Sequence, residues 1–224
     1  MKLNTPIIKD GPYEVYTMRH AESIGNAKGL DDESLARLAN HSFVVTEKGF
    51  KQLSLSAEYM KSMDFLDGRF GVYTSGFSRA QESMGAILNI LGKDNVFNVI
   101  SDSRLDEWWR GIFHSLPKEI VEKNYSLERM VQEREGLHHY RAPQGQAGKD
   151  VEVNLVSFLR DVPEKQIFIV GHGRNLGFLR RILTNAPLDL NCKYPIPENG
   201  EIWKFSKDGS YYNFESLFVP KVDS

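Results

Sequence analysis

The sequence predicts an α/β protein: a three-layer α/β/α sandwich around a mostly parallel central sheet. Two stretches carry most of that reading. Val15-Tyr16-Thr17-Met18 and Ile167-Phe168-Ile169-Val170 are short apolar, β-branched and aromatic runs of the kind buried as strands. Each gives way abruptly to polar or glycine residues and then to further structure, as strand-to-helix alternation requires. Arg19-His20 follows the first run and Gly171-His172-Gly173 the second. Both histidines therefore fall at C-terminal strand edges, where open α/β sheets bind ligands.

The remaining elements follow in order. Pro6-Ile7-Ile8 reads as a short edge strand, and Ser34 to Ala39 as a short helical pattern behind the acidic run Asp31-Asp32-Glu33. That run is read as a solvated helix N-terminus, where the dipole favours carboxylates. Thr46 is an N-cap candidate for a helix reaching about Met63, with Leu53, Ala57 and Met60 on one face. Phe70 to Ser75 predicts a strand and Ser78 to about Leu91 a helix; Val96 to Ile100 predicts another short strand. The charged stretch Ser115 to Arg141 predicts helix, and Asp150 to Leu159 an amphipathic helix through Val151, Leu155, Val156 and Leu159. Leu176 to Leu183 is helical in pattern, Tyr194 to Gly200 is a proline-rich loop, and Glu201 to Phe218 reads as a hairpin turning at Asp208-Gly209.

At 224 residues the chain reads as one domain, residues 1–224, with no repeat or linker to divide it. A net charge of -2 gives no global field for nucleic acid or an anionic membrane, so an anion site must be local. No apolar run approaches the ~18–20 residues of a membrane span, and a cytoplasmic location is expected. The single cysteine, Cys192, has no partner for an internal disulfide, and no Cys/His spacing frames a zinc site. His138-His139 lacks a carboxylate-rich frame, so no metal is expected there.

A more specific pattern lies in the motifs. Arg19-His20-Ala21-Glu22-Ser23 with Asn26 resembles the Arg-His-Gly-Glu-Ser signature of the histidine phosphatase superfamily, the phosphoglycerate mutase-like proteins. Val45-Thr46-Glu47-Lys48-Gly49-Phe50-Lys51-Gln52 resembles that family's Leu-Thr-x-x-Gly-x-x-Gln element, Ser75 to Ala80 its Ser-x-x-x-Arg-Ala element, and Leu105 to Gly111 its Leu-x-Glu-x-x-x-Gly element. The pieces follow in the family's order from about Val15 to Ile202. Ala21 stands where the family has Gly, and Gln146-Ala147 where a Pro-x-Gly-Glu-Ser turn has Glu and Ser. The second departure removes a charge and is expected to alter substrate choice.

The resemblance implies a phosphoglycerate mutase-like fold and a metal-independent, cofactor-free enzyme acting on a small phosphorylated substrate. His20 would be the nucleophile, Glu107 the general acid and base, and His172 the second catalytic histidine. Arg19, Asn26, Arg79 and the Gly173 N–H would bind the phosphate. Arg79 near a helix start suits an anion, and Arg pairs suit the equatorial oxygens of a transferring phosphoryl group. His20 is expected to fix its second ring nitrogen on a backbone carbonyl near Gly171 or Gly173. Trp108 and Trp109 are expected to wall Glu107 and raise its pKa; Asp106 is the rival carboxylate, but the motif register favours Glu107. Ser23, Trp108, Arg174 and Asn175 would form the substrate rim, and residues 112–142 a helical cap insertion. The short stretch between Glu107 and His172 favours a phosphatase over a phosphoglycerate mutase, with a non-catalytic phospho-ligand binder as a third reading. No partner beyond the substrate is implied, neither nucleic acid nor membrane, and a homodimer is left open.

Overall fold

In the computed structural model, residues 7–8, 10–27, 38–63, 68–94, 96–113 and 118–222 are described. Six strands form one sheet: β1 (Glu14–Arg19), β2 (Phe70–Thr74), β3 (Val99–Ser101), β4 (Gln166–Gly171), β5 (Ile202–Asp208) and β6 (Tyr211–Phe218). The helices among the described residues are α1 (Glu47–Ser62), α2 (Ser78–Ile90), α3 (Lys118–Asn124), α4 (Ser126–Glu135), α5 (Gly148–Asp161) and α6 (Gly173–Thr184). Strand order is β3-β2-β4-β1-β5-β6. The first four run parallel, while β5 and β6 form an antiparallel hairpin beside β1.

Side-chain alternation along the strands builds two cores. Val15, Ile167, Ile169 and Phe205 pack with Leu155, Phe158 and Leu159 of α5 and Leu179 and Ile182 of α6. Tyr16, Met18, Phe168 and Val170 face the other way, onto Leu53, Ala57 and Met60 of α1 and Ala80, Met84 and Ile87 of α2. The result is the three-layer sandwich that the sequence predicts. Each fully buried large side chain contributes ~1.5–3 kcal/mol of transfer free energy, so both faces anchor the strand ends that carry the site.

Helix α1 begins where its cap residue dictates: Thr46 Oγ1 accepts from the Gly49 N–H at 3.1 Å. Gly209, at φ +59°, makes the hairpin turn between Asp208 and Tyr211.

Four expectations shift. Ile8 is buried in the core but unpaired, and Pro6 lies outside the described residues. Leu38 and Ala39 are not helical; Asp31-Asp32-Glu33 and Ser34 to Arg37 lie outside the described residues. The third strand starts at Val99 rather than Val96, and all three of its residues are exposed, so no burial pattern marks it in the sequence. Within Ser115 to Arg141, Ser115 to Pro117 lie outside the described residues and helix ends at Glu135, because Gly136 adopts φ +74°.

Candidate active site

Three strand ends meet at one point of the sheet. Arg19 pairs with Gly171 across β1 and β4, and the His20 N–H donates to the Gly171 carbonyl at 2.9 Å. That register sets His20 beside His172, with ring centroids 5.2 Å apart at 62°. On the other flank of β4, Thr74 pairs with Val170, which brings Ser75 to His172. Parallel pairing thus places residues from three distant parts of the chain in a row.

His20 is 2% exposed. Its Nδ1 lies 2.7 Å from the Ala21 carbonyl oxygen, which can only accept. Nδ1 therefore carries the proton, and Nε2 keeps its lone pair. The Arg79 Nε–H donates to that Nε2 at 3.2 Å. The anchoring carbonyl is Ala21 rather than one near Gly171 or Gly173; the Gly171 carbonyl accepts from the His20 main chain. Burial, followed by the neighbouring His172 and Arg79, pulls the His20 pKa well below the ordinary imidazole value. The ring is neutral at neutral pH, as a nucleophile must be.

Arg79, the second residue of α2, is 3% exposed. It donates to the Asn40 carbonyl at 2.7 Å, stacks over Phe77 and forms an ion pair with Glu107. Glu107 also accepts from Asn40 Nδ2 at 3.3 Å. An arginine, not an indole wall, is its neighbour: Trp108 is buried with its ring edge-on to Phe178, and Trp109 is exposed. Arg19 donates from Nη1 to the Pro197 carbonyl at 2.9 Å, while its Nε is buried without a hydrogen-bond partner among the described residues. Gly173 opens α6 against Arg19, and a Cβ there would come 3.3 Å from Arg19 Nε. Its N–H belongs to the first turn, which lacks intrahelical partners.

Asn26 is exposed, and its amide is oriented by donors. Its Oδ1 receives Ser23 N at 3.3 Å, Ser23 Oγ at 3.0 Å and Asn199 Nδ2 at 3.4 Å. Nδ2 of Asn26 remains as the donor end. Asn199 also donates to the His20 carbonyl at 2.9 Å, so the proline-rich loop braces the turn after β1. Glu22 is structural, accepting from Thr46 Oγ1 at 2.9 Å. Ala21 is fully buried, and its φ is not positive, so its methyl is accommodated.

His172 is fully buried, with Nε2 2.8 Å from Ser75 Oγ. Ser75 Oγ in turn lies 2.9 Å from Asp106 Oδ1, which also accepts from the Gly76 N–H at 2.7 Å. Burial, then Arg79 and Arg19, hold the His172 pKa well below its ordinary value.

The expected rim divides. Arg174 is exposed. Ser23 is 1% and Asn175 3% exposed, so neither lies at a rim. Ser23 orients Asn26. Asn175 clamps the Glu107 segment, accepting from Trp108 N–H at 3.1 Å and donating to the Asp106 carbonyl at 2.7 Å. Trp108 donates to the Gln146 carbonyl at 2.9 Å, and Gln146 Oε1 accepts from Trp109 N–H at 3.1 Å. Gln146 thus ties down the indole segment, and buried Ala147 stands at the N-cap of α5. Trp108, Arg110, Phe113, Tyr140 and Gln146 line a cavity of about 350 Å³ against α3 and α4. Asn40 and Asn199 were not singled out from sequence, and Ser75 entered only as the first residue of the Ser-x-x-x-Arg-Ala element. Asn40 and Asn199 enter by tertiary approach.

His138 pairs with Glu152 at 3.2 Å, and Arg181 donates to the same carboxylate at 2.7 Å. Among the described residues no group of His, Cys, Asp and Glu is arranged to hold a metal ion, and no helix is long and apolar enough to cross a membrane.

Comparison with known proteins gives this geometry its setting. The chain is 26% identical over 184 residues to the phosphoglycerate mutase-like protein AT74H of Arabidopsis thaliana, covering 72% of this chain and 62% of that protein's length. Among solved structures, an alpha-ribazole phosphatase from Shigella flexneri superposes with a TM-score of 0.74 at 16% identity, covering 94% of this chain and 98% of that one. A mycobacterial glucosyl-3-phosphoglycerate phosphatase in complex with VO3 gives 0.67 at 17% identity, covering 91% and 98%. These two likenesses establish a shared fold. The family model of the histidine phosphatase superfamily, branch 1, matches residues 15–219, and the chain belongs to that superfamily.

Proposed function

We propose that this protein is a phosphomonoester hydrolase that works through a phosphohistidine on His20. The observation that carries the reading is the anchored tautomer: Nδ1–H on the Ala21 carbonyl leaves a buried Nε2 lone pair against Arg79. His20 Nε2 attacks phosphorus in line, and the P–O bond to the alcohol breaks as Glu107, displaced from Arg79 by the phosphate and protonated from solvent, gives that proton to the leaving oxygen. Glu107 then takes a proton from water, whose oxygen attacks phosphorus and frees His20 and phosphate. Arg19, Arg79, Asn26 Nδ2 and the Gly173 N–H meet the three equatorial oxygens. Since protein groups supply this charge, no metal enters the scheme.

The alcohol is assigned to the cavity beside Trp108 and Arg110, with residues 112–142 acting as a cap and exposed Arg174 at its rim. Phosphoglycerate mutase is the second reading, favoured by the name of the Arabidopsis relative. A mutase must exclude water while the monoester reorients.

The test is phosphate release from a panel of phosphomonoesters in chelator, with acid-quench detection of phosphoenzyme. Release is expected to persist in chelator, and His20→Ala is expected to lose both turnover and the phosphoenzyme. Full activity in that variant would end the proposal. Interconversion of 3-phosphoglycerate only with a bisphosphate primer, and no release, would favour the mutase.

A further inference from the structure

We infer that Ser75 and Asp106 fix the proton inventory of His172, so that an oxyanion enters the site together with one proton, taken up at His172 Nδ1. The inference rests on the oxyanion reading of the site given above. The Asp106 carboxylate only accepts, and Ser75 Oγ stands 2.9 Å from its Oδ1. Ser75 has a single hydroxyl proton, which is committed to Asp106. Every other neighbour of that oxygen must then be a donor. The Phe77 N–H at 3.1 Å is one, and His172 Nε2 at 2.8 Å is the other. A neutral His172 therefore carries its proton on Nε2 and a bare lone pair on Nδ1. That Nδ1 is buried and has no partner among the described residues.

A lone pair in the wall of an anion site repels the anion it should hold. The strand order β2-β4-β1 puts Ser75 on one flank of His172 and His20 on the other, so the ring borders the space in which His20 works. A proton on Nδ1 turns repulsion into a charge-assisted hydrogen bond. The imidazolium so formed is compensated through the Ser75 hydroxyl by the Asp106 carboxylate. The other groups around it are Arg79 and Arg19, which oppose the charge, neutral His20, and Glu107, which is paired to Arg79. Without a bound anion, burial and the two arginines hold the His172 pKa well below its ordinary value, so the ring is neutral. A bound dianion reverses that balance, and the proton comes from the buffer. Ser75 and Asp106 are positioning residues in this scheme: neither touches the anion.

The experiment uses tungstate, an oxyanion fully ionised at neutral pH, and the full chain carrying nitrogen-15 histidine. Two-bond proton–nitrogen spectra read the tautomer and charge of each ring, with His172 assigned by a His172→Gln variant. The free protein should show His172 neutral with its proton on Nε2, and the tungstate complex should show it as imidazolium. Asp106→Asn should leave His172 neutral in the complex and weaken tungstate binding on the order of tenfold, the equivalent of one pKa unit. Ser75→Ala, which removes no charge, should release the tautomer and weaken binding in the same direction; it serves if Asp106→Asn does not fold. His172 found with its proton on Nδ1 in the free protein, or still neutral with tungstate bound, would overturn the inference alone. Failure of tungstate to bind would overturn the oxyanion reading along with it.

Discussion

Glu107 pairs with Arg79 at rest, and the proposed mechanism asks the same carboxylate to serve both halves of a transfer reaction. Replacing it by Gln keeps shape and removes the exchangeable proton. Glu107→Gln is expected to slow hydrolysis of an alkyl phosphate by roughly 10²–10⁴-fold. Nitrophenyl phosphate, whose leaving group needs no proton, should lose far less. The ratio of kcat/KM for the two esters reads this directly, and equal losses would remove Glu107 from the acid's role. The motif residues were legible because their chemistry sits in contiguous signatures, such as Arg19-His20 and the Glu107 register. Ser23 and Asn175 were placed at the rim because a sequence does not show which polar groups turn inward to orient others. The partner of Glu107 was also hidden: Arg79 reaches it from helix α2, and Trp108 turns away toward Phe178.

Helix α1 is locked to the loop after β1 through a small residue. A Cβ on Gly49 would overlap the Glu22 carbonyl oxygen and crowd Val45 Cγ1. Gly49→Ala should therefore destabilise the protein by ~1–3 kcal/mol despite the better helix propensity of Ala. Urea denaturation measures this, and unchanged stability would show that the loop and helix are not in such contact. Elements with a buried stripe and a cap, such as α1 with Thr46, were legible almost to the residue. Strand β3 was legible as a strand but not in its bounds, since its exposed residues leave no alternation to read.

For the molecule as a whole, two buried neutral imidazoles make stability depend on pH. Both His20 and His172 have folded-state pKa values below the unfolded value of ~6.5. Below that value the unfolded chain binds protons that the folded one refuses, so stability falls as pH falls. Each group contributes a slope of ~1.4 kcal/mol per pH unit between its unfolded and folded pKa. Thermal denaturation between neutral and mildly acidic pH should show a steep loss, made shallower by His172→Gln. Equal slopes in the two proteins would mean that His172 is not held neutral. The sandwich itself was legible because both sheet faces are covered and β1 and β4 read as apolar runs. Which strands neighbour one another was not, because that order exists only in the assembled sheet.

The pairing of Arg79 with Glu107 gives the resting site its own counter-ion. The guanidinium on offer to a phosphate is neutralised from within, so an arriving anion enters by exchange rather than by filling a positive hole. Under the proposed mechanism small, singly charged anions would gain too little to evict the carboxylate, whereas a dianion that also engaged Arg19 and Asn26 would do so. For a product phosphate ready to leave, the same carboxylate would compete for its place. A tethered rival of this kind would make departure part of the design and keep spent phosphate from holding the site.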